Sequence, residues 1–359
     1  MSQPTAFITG VTGQDGGELA RFLLLKGYQV HGLARAPHRF DWSRLEGVAG
    51  ARSNLFLHQG DMRNAGGVMR VLREVRPLEV YNLAAQSNVG MSFKRPDETF
   101  EVNAGGTKRL LQAVCFLELE KTSRIYQASS SEIFGPSNGV PHTEEAPFNP
   151  CSPYAESKLE AYRHVQRHRE LAGGYACNGI LFNHEGPHRW KGFVTRKISI
   201  AVAAKFLSIE APLALGNLDA CRDWGHVSDY VAGMWAMLQQ STPEDMVLAT
   251  GEARSVRSFA ETAFSYVGHE IVWEGSGLDE VGRDTETGEL LVTINPKFYR
   301  PQDVSMAIGN AAKARRVLGW KPKVTFQQLV HEMVDADIER LRILAADGRD
   351  NSLLAAVAD

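Results

Sequence analysis

The sequence predicts an α/β protein, a doubly wound parallel sheet with a smaller second unit. Three observations carry this. Strands and helices alternate through the first third of the chain, a glycine-rich turn follows the first strand, and the alternation fails after about residue 175. Apolar runs predict strands at 6–8, 28–33, 55–59, 79–83 and 124–128, and helices at 18–26, 68–75 and 104–117. Parallel strands joined by right-handed helical crossovers give a sheet of the Rossmann type, covered on both faces. A sixth strand is expected at 179–182, then a loop at 183–192 and a helix at 194–208. Residues 270–296 are rich in Gly, Glu and Asp with weak periodicity, and a last helix spans about 325–345. The expected division is residues 1–182 with about 225–251 as the cofactor domain, and about 183–224 with 252–345 as a discontinuous α/β substrate domain. That second domain would close over a ligand at the sheet's carboxyl edge, and residues 346–359 would form a frayed tail.

Composition narrows the function classes. The 359 residues carry 39 Lys+Arg against 42 Asp+Glu, a formal charge of -3, so a broad basic face for nucleic acid is not expected. At 43% hydrophobic and 23% charged the chain is an ordinary globular one. No run of 18 apolar residues suggests a membrane span. Cys115, Cys151, Cys177 and Cys221 stand far apart and make no metal-ligand cluster, so reduced thiols, no metal and a cytoplasmic location are expected.

Gly10, Gly13 and Gly16 form a GxxGxxG turn between the first strand and first helix. Gly10 suits a tight turn, Gly13 close approach of backbone to a pyrophosphate, and Gly16 close helix–strand packing. The helix N-terminus then presents N–H groups and a positive dipole end to phosphate. A bare glycine triplet is weak evidence; its place between strand and helix gives it force. The second strand runs into Ala34-Arg35, where NAD sites usually place a carboxylate on the ribose hydroxyls. The guanidinium of Arg35 suits a 2′-phosphate instead and points to NADP. Asp61, after the third strand, could meet the adenine or simply make a turn.

Tyr154 and Lys158 form a YxxxK pair, preceded by Ser152-Pro153, and the spacing of four puts both on one helix face. A neighbouring ammonium lowers a phenol's pKa, so the tyrosine can act as a base near neutrality. The pair alone is common by chance; the glycine turn upstream makes it informative. The fifth strand runs into Ser129-Ser130-Ser131-Glu132, which sets hydroxyls and one carboxylate at a strand's carboxyl end, where α/β chemistry sits.

These residues resemble the extended short-chain dehydrogenase/reductase family, and within it the GDP-mannose 4,6-dehydratases. The resemblance covers residues 8 to about 338 and includes the runs at 8–16, 81–87, 176–185, 193–198, 215–226 and 299–301. It implies an internal redox cycle with NADP. Tyr154 would take the sugar 4-hydroxyl proton as hydride leaves C4, Lys158 would hold the tyrosine and the nicotinamide ribose, and Glu132 would remove the C5 proton. Ser130 would polarise the C4 oxygen, water would leave from C6, and hydride would return there. Gly10, Gly13, Gln14, Asp15, Gly16, Arg35, Asp61, Leu83, Ala84 and Ala85 fall at cofactor positions. Ser87, Asn183, Val194, Lys197, Gly216, Arg222, Arg300 and Asp303 fall at positions for a GDP-sugar, the cations suiting its diphosphate.

The chain departs from the family pattern in places. Ser130 replaces a threonine and Asp303 a glutamate. The family's Gly-Ser-Tyr is Gly16-Gly17-Glu18, its paired arginines are Arg35-Ala36, its Gln-Ser-His-Val is Gln86-Ser87-Asn88-Val89, and its Pro-Arg-Arg-Gly is Pro187-His188-Arg189-Trp190. The arginine pair and the last loop help tetrameric members share cofactor contacts, so a homodimer is favoured over a homotetramer. The changes also fit a GDP-linked heptose as substrate. A nucleotide-sugar 4-epimerase or 4-reductase would share Tyr154 and Lys158 but has no need of Glu132 as a C5 base. An NADP-sensing binding protein has no need of the tyrosine–lysine pair.

Overall fold

The computed structural model describes residues 3–137, 139–209, 213–298 and 306–346. They fall into two compact units. The first comprises the chain to Phe182 with Val227–Gly251 and Gly309–Pro322. Its sheet contains β1 (Thr5–Thr9), β2 (Gln29–Ala34), β3 (Leu55–Gln59), β4 (Glu79–Asn82), β5 (Arg124–Ser130), β6 (Ala176–Leu181) and a seventh strand, Met246–Leu248. The order is Met246–Leu248, β6, β5, β4, β1, β2, β3, and every neighbouring pair is parallel.

Side chains alternate across this sheet as the strand pleat requires. Ala6, Ile8, Tyr81 and Tyr126 enter one core with Leu19 and Leu23 of helix α1 (Gln14–Leu25) and Val231 and Met234 of helix Val227–Leu238. Phe7, Val80 and Ile125 enter the opposite core with Val68, Leu72, Leu110 and Val114. Burial on both faces explains why these strands read as unbroken apolar runs.

The segment Gly309–Pro322 corrects the expected assignment of residues 252–345 to one domain, because it packs with the first unit. Gly309 bridges His142, the Asn310 N–H donates to the His142 carbonyl at 2.8 Å, and Trp320 Nε1 donates to the Asp229 carbonyl at 2.7 Å. Contacts at such sequence separations leave no local periodicity to read.

The second unit comprises Asn183–His226, Glu252–Ile308 and the chain from Lys323. Strand Cys221–His226 pairs with Asn183–Glu185, Ala253–Ser255 and Met306–Ala307. A second sheet joins Ile271–Glu274, Val281–Asp284, Leu290–Ile294 and Leu213–Leu215 in that order. One expectation is thereby corrected, because 183–192 begins with a strand, and the weakly periodic 270–296 holds three antiparallel strands. The turn after Val281–Asp284 closes on the Asp284 carboxylate, which accepts from the Thr287 N–H at 2.8 Å, the Glu286 N–H at 3.0 Å and His269 Nδ1 at 2.7 Å. Helices Val194–Phe206, Val256–Tyr266 and Phe326–Ala346 bury Ile198, Val202, Phe259, Leu329 and Met333 in this unit's core.

At the β2–β3 side of the first sheet, His31 Nδ1 lies 2.9 Å from His58 Nε2, and the His31 ring stacks on Phe56. Burial, then the neighbouring His58, brings His31 down to about 4, and burial lowers His58 too. Both groups are therefore neutral in the fold above their unfolded pKa, and that stability is lost as pH falls from about 6.5 through about 4. The thermal midpoint should drop across this window, and His31→Phe should flatten the drop; equal slopes in both proteins would refute the assignment.

Candidate active site

Four buried polar side chains stand in one register row across the sheet. Thr9 on β1 is opposite Asn82 on β4, Asn82 is opposite Gln127 on β5, and Gln127 is opposite Asn178 on β6. In an apolar α/β core such groups must satisfy each other. The Thr9 hydroxyl donates to Asn82 Oδ1 at 2.7 Å and accepts from the N–H groups of Leu83 and Ala84, both at 3.1 Å. Asn82 Nδ2 donates to Gln127 Oε1 at 2.7 Å and to the Thr107 hydroxyl at 3.1 Å. Gln127 Nε2 in turn donates to the Ala128 carbonyl at 3.1 Å.

That carbonyl is also where Lys158 ends. Its Nζ donates to the Ala128 oxygen at 2.8 Å and lies 5.9 Å from the centre of the Tyr154 ring. Ser152 caps helix Pro153–Ala172 by accepting the Ala155 N–H at 3.1 Å, and Pro153 fits the first turn, where its missing N–H costs nothing. Tyr154 and Lys158 thus sit in the first two turns, 8% and 5% exposed, so helix capping fixes the pair directly. Burial lowers Lys158 to about 8, partly opposed by the Asp15 carboxylate. Ser130 ends β5 and accepts the Glu132 N–H at 3.3 Å, which holds the half-buried Glu132 in a short 3₁₀ turn at the sheet's carboxyl edge.

The glycine turn is constrained by sterics. Gly10 has φ +72°, and a Cβ there would stand 2.9 Å from the Ala84 backbone. A Cβ on Gly16 would lie 2.3 Å from the Gly10 carbonyl oxygen, so the helix can approach only without a side chain. The resulting cradle is bare backbone facing the first turn of α1, and Gln14 Nε2 donates to Asp15 at 3.0 Å within it. Arg35 is exposed at the end of β2. Asp61 is bound up locally: its carboxylate accepts Arg63 Nε at 3.0 Å and Nη2 at 2.7 Å, and this pair holds its pKa low. Leu83, Ala84 and Ala85 follow β4 as a half-buried loop, and Ser87 beyond them is exposed.

The sequence reading missed Asn103. It lies in a π-helical turn, Glu101–Gly105, a form frequent at functional sites. Its amide accepts the Gln86 N–H at 2.9 Å, donates to the Gln86 carbonyl at 3.1 Å, and donates to the Ser157 hydroxyl at 2.9 Å. It therefore ties the loop after β4 to the helix of Tyr154 and Lys158. A buried Asn in an otherwise apolar helical pattern was the available signal.

In the second unit, Val194 starts helix Val194–Phe206, and Lys197 Nζ lies 4.0 Å over the Phe298 ring. A Cβ on Gly216 would meet the Phe298 carbonyl oxygen at 2.5 Å, so both expected residues lie against Phe298, Lys197 on its ring and Gly216 on its backbone, a residue the sequence reading did not single out. Asn183 begins its strand, and Arg222 Nη1 donates to the Cys221 carbonyl at 3.0 Å. Arg189 pairs with buried Glu185 at 2.9 Å and stacks over Phe193. Arg300 and Asp303 lie outside the described residues. Among the described residues no cluster of His, Cys, Asp or Glu could hold a metal ion, and no helix is long and apolar enough to cross a membrane.

A parallel sheet opening on a GxxGxxG turn, with a buried Tyr/Lys pair at its carboxyl edge, defines a Rossmann-type enzyme of the short-chain dehydrogenase/reductase kind. The sequence profile of the family described as GDP-mannose 4,6 dehydratase matches residues 7–333, and the chain belongs to that family. Similar proteins include the GDP-mannose 4,6 dehydratases of Drosophila melanogaster (49% identical, covering 94% of this chain and 87% of that one) and Homo sapiens (49%, 94% and 92%). That of Sinorhizobium fredii is 48% identical, covering 94% and 97%. Among solved structures, a dTDP-glucose 4,6-dehydratase from Streptomyces venezuelae with NAD bound has a similar fold, with TM-score 0.79 at 22% identity over 94% of this chain and 98% of that one. RMD from Pseudomonas aeruginosa, complexed with NADPH, gives 0.75 at 22% over 94% and 100%.

Replacing Gln127 by Leu would remove the acceptor for Asn82 Nδ2 and a donor to the Ala128 carbonyl. The expected loss is about 1–3 kcal/mol of stability for buried groups left underpaired, read as a lower thermal midpoint; an unchanged midpoint would show that the row is not structural.

Proposed function

We propose that this protein dehydrates GDP-mannose to GDP-4-keto-6-deoxymannose, with NADP as a resident cofactor. The observation that carries the reading is that Ser130 ends β5 and Glu132 lies in the turn just beyond it, two and four residues after the carbonyl that anchors Lys158. A carboxylate there supplies what a simple 4-epimerase lacks. The membership of the GDP-mannose 4,6-dehydratase family supports the same sugar.

The glycine cradle fits a dinucleotide, because side chains at positions 10 and 16 would fill it. Gly10, Gly13, Gln14, Asp15 and Gly16 would hold the pyrophosphate side. Leu83, Ala84, Ala85, Tyr154 and Lys158 would hold the nicotinamide side, with Asp61 near the adenine, and Arg35 would favour the 2′-phosphate. NADP, when bound, supplies a hydride acceptor for C4 and a donor for C6. Tyr154 removes the 4-hydroxyl proton, and the Lys158 ammonium keeps the phenol acidic enough to do so. Ser130 hydrogen-bonds the C4 oxygen. The C4 ketone acidifies C5; Glu132 takes that proton and passes it to the C6 hydroxyl, which leaves as water, and the proton held by Tyr154 returns to C5 as C6 is reduced. Holding the keto intermediate in place supplies much of the rate.

Asn183, Val194, Lys197, Gly216 and Arg222 would bind the GDP portion with Ser87, Arg300 and Asp303. The reading extends to a cytoplasmic homodimer, which light scattering would test against a monomer or tetramer.

Incubation with GDP-mannose deuterated at C4 should give product labelled at C6. Label retained at C4 or lost to water would sink the cycle. Glu132→Gln should lower turnover by at least about a hundredfold, the contribution of a positioned acid–base group, while sparing cofactor binding; full activity would remove Glu132 from the chemistry. A panel of GDP-sugars that includes a GDP-heptose, read by mass loss of water, would fix the sugar.

The ammonium of Lys158 is lost as pH rises through about 8. kcat/KM should therefore fall on the alkaline side of that value. A flat profile to pH 10 would mean that the Lys158 charge is not needed.

A further inference from the structure

Arg44 lies in the segment that leads from β2 to β3, ten residues after β2 ends at Ala34. Its Nη1 donates to the Gly13 carbonyl at 2.7 Å, in the centre of the glycine turn. The side chain is only 12% exposed, and its Nε stands 3.8 Å from the Asp41 carboxylate. Asp41 is itself fixed, because it caps the short helix Trp42–Leu45 and accepts the Ser43 hydroxyl at 2.6 Å. Trp42 is held in turn by the guanidinium of Arg52 at 4.5 Å from its ring centre.

Gly17 is what admits Arg44. A Cβ at position 17 would stand 2.4 Å from Arg44 Nη1 and 3.0 Å from Cδ. The turn and the end of β2 are neighbours, since the Gly10 N–H donates to the Leu33 carbonyl at 3.0 Å. The exposed Arg35 follows that strand end directly.

We propose that Arg44 is a second guanidinium of the cofactor's 2′-phosphate site, brought there by the loop and admitted by Gly17. This rests on the NADP reading above. A phosphate monoester carries nearly two negative charges, and a planar guanidinium can meet two of its oxygens at once while another N–H stays on the Gly13 carbonyl. Fixing Arg44 through Gly13 and Asp41 removes much of the side-chain ordering that binding would otherwise require.

The test is titration of nucleotide-free protein with NADPH and with NADH, followed by nucleotide fluorescence, so that turnover is not the readout. Wild type should bind NADPH more tightly. Arg44→Gln should weaken NADPH by roughly tenfold to a hundredfold, as expected for a charge-assisted contact, and leave NADH nearly unchanged. Gly17→Ala, which pushes Arg44 away without touching its charge, should shift the preference in the same direction. Arg44→Lys should keep part of it. Equal weakening of both nucleotides by Arg44→Gln and Gly17→Ala would make Arg44 a support of the turn and overturn the proposal. So would an undiminished NADPH preference in both variants, which would leave NADP as cofactor with Arg35 as its determinant. A wild type that does not distinguish the two nucleotides would instead defeat the NADP reading itself, and the proposal with it.

Discussion

Thr9, Asn82 and Gln127 hydrogen-bond side by side across β1, β4 and β5, and both the glycine turn and Lys158 are tied to this row. At one end the Thr9 hydroxyl fixes the backbone of Leu83 and Ala84, against which Gly10 turns. At the other end Gln127 and Lys158 share the Ala128 carbonyl. Polar groups in an apolar interior are costly unless fully paired, and a fully paired row is correspondingly rigid. The glycine turn and Lys158 are thereby held to the same sheet through a few short bonds.

Rigidity of this sort suits the proposed cycle, which uses one acid–base set twice. Tyr154 and Lys158 gain their position from a helix start that is capped and proline-initiated, and Asn103 clamps that helix to the loop after β4. Glu132 gains its position from the Ser130 turn. The site is preorganised in the sense that its groups are oriented by their own backbone and by buried partners.

The departures from the family pattern take on physical meaning in the same terms. Gly17 is a space filled by Arg44, and the loop at 187–190 is tied down from within the second unit. Arg196 Nη2 meets Asp337, which is 2% exposed and also accepts the Ser199 hydroxyl at 2.7 Å, while Arg189 is engaged with Glu185. A residue read only as a substitution in sequence can be one half of a packing pair.

By itself the sequence determined the alternation of strands and helices, the glycine turn between β1 and α1, and the one-face spacing of Tyr154 and Lys158. These are local: a buried strand is a short apolar run, a turn needs its glycines, and a helix repeats every 3.6 residues. It also placed Ser130 and Glu132 correctly at a strand end. Tertiary structure alone decided the return of Gly309–Pro322 to the first unit, the strands hidden in 270–296, and the roles of Asn103, Gln127, Arg44 and Phe298. Apart from the hairpin strands of 270–296, which pair 7 to 13 residues apart, each depends on a partner farther along the chain, and a hydrogen bond or close approach made at that separation has no signature in the neighbouring residues. Lys158 shows the division most clearly: its spacing from Tyr154 is written in the chain, but its lowered pKa comes from burial, which exists only once the fold has closed around it.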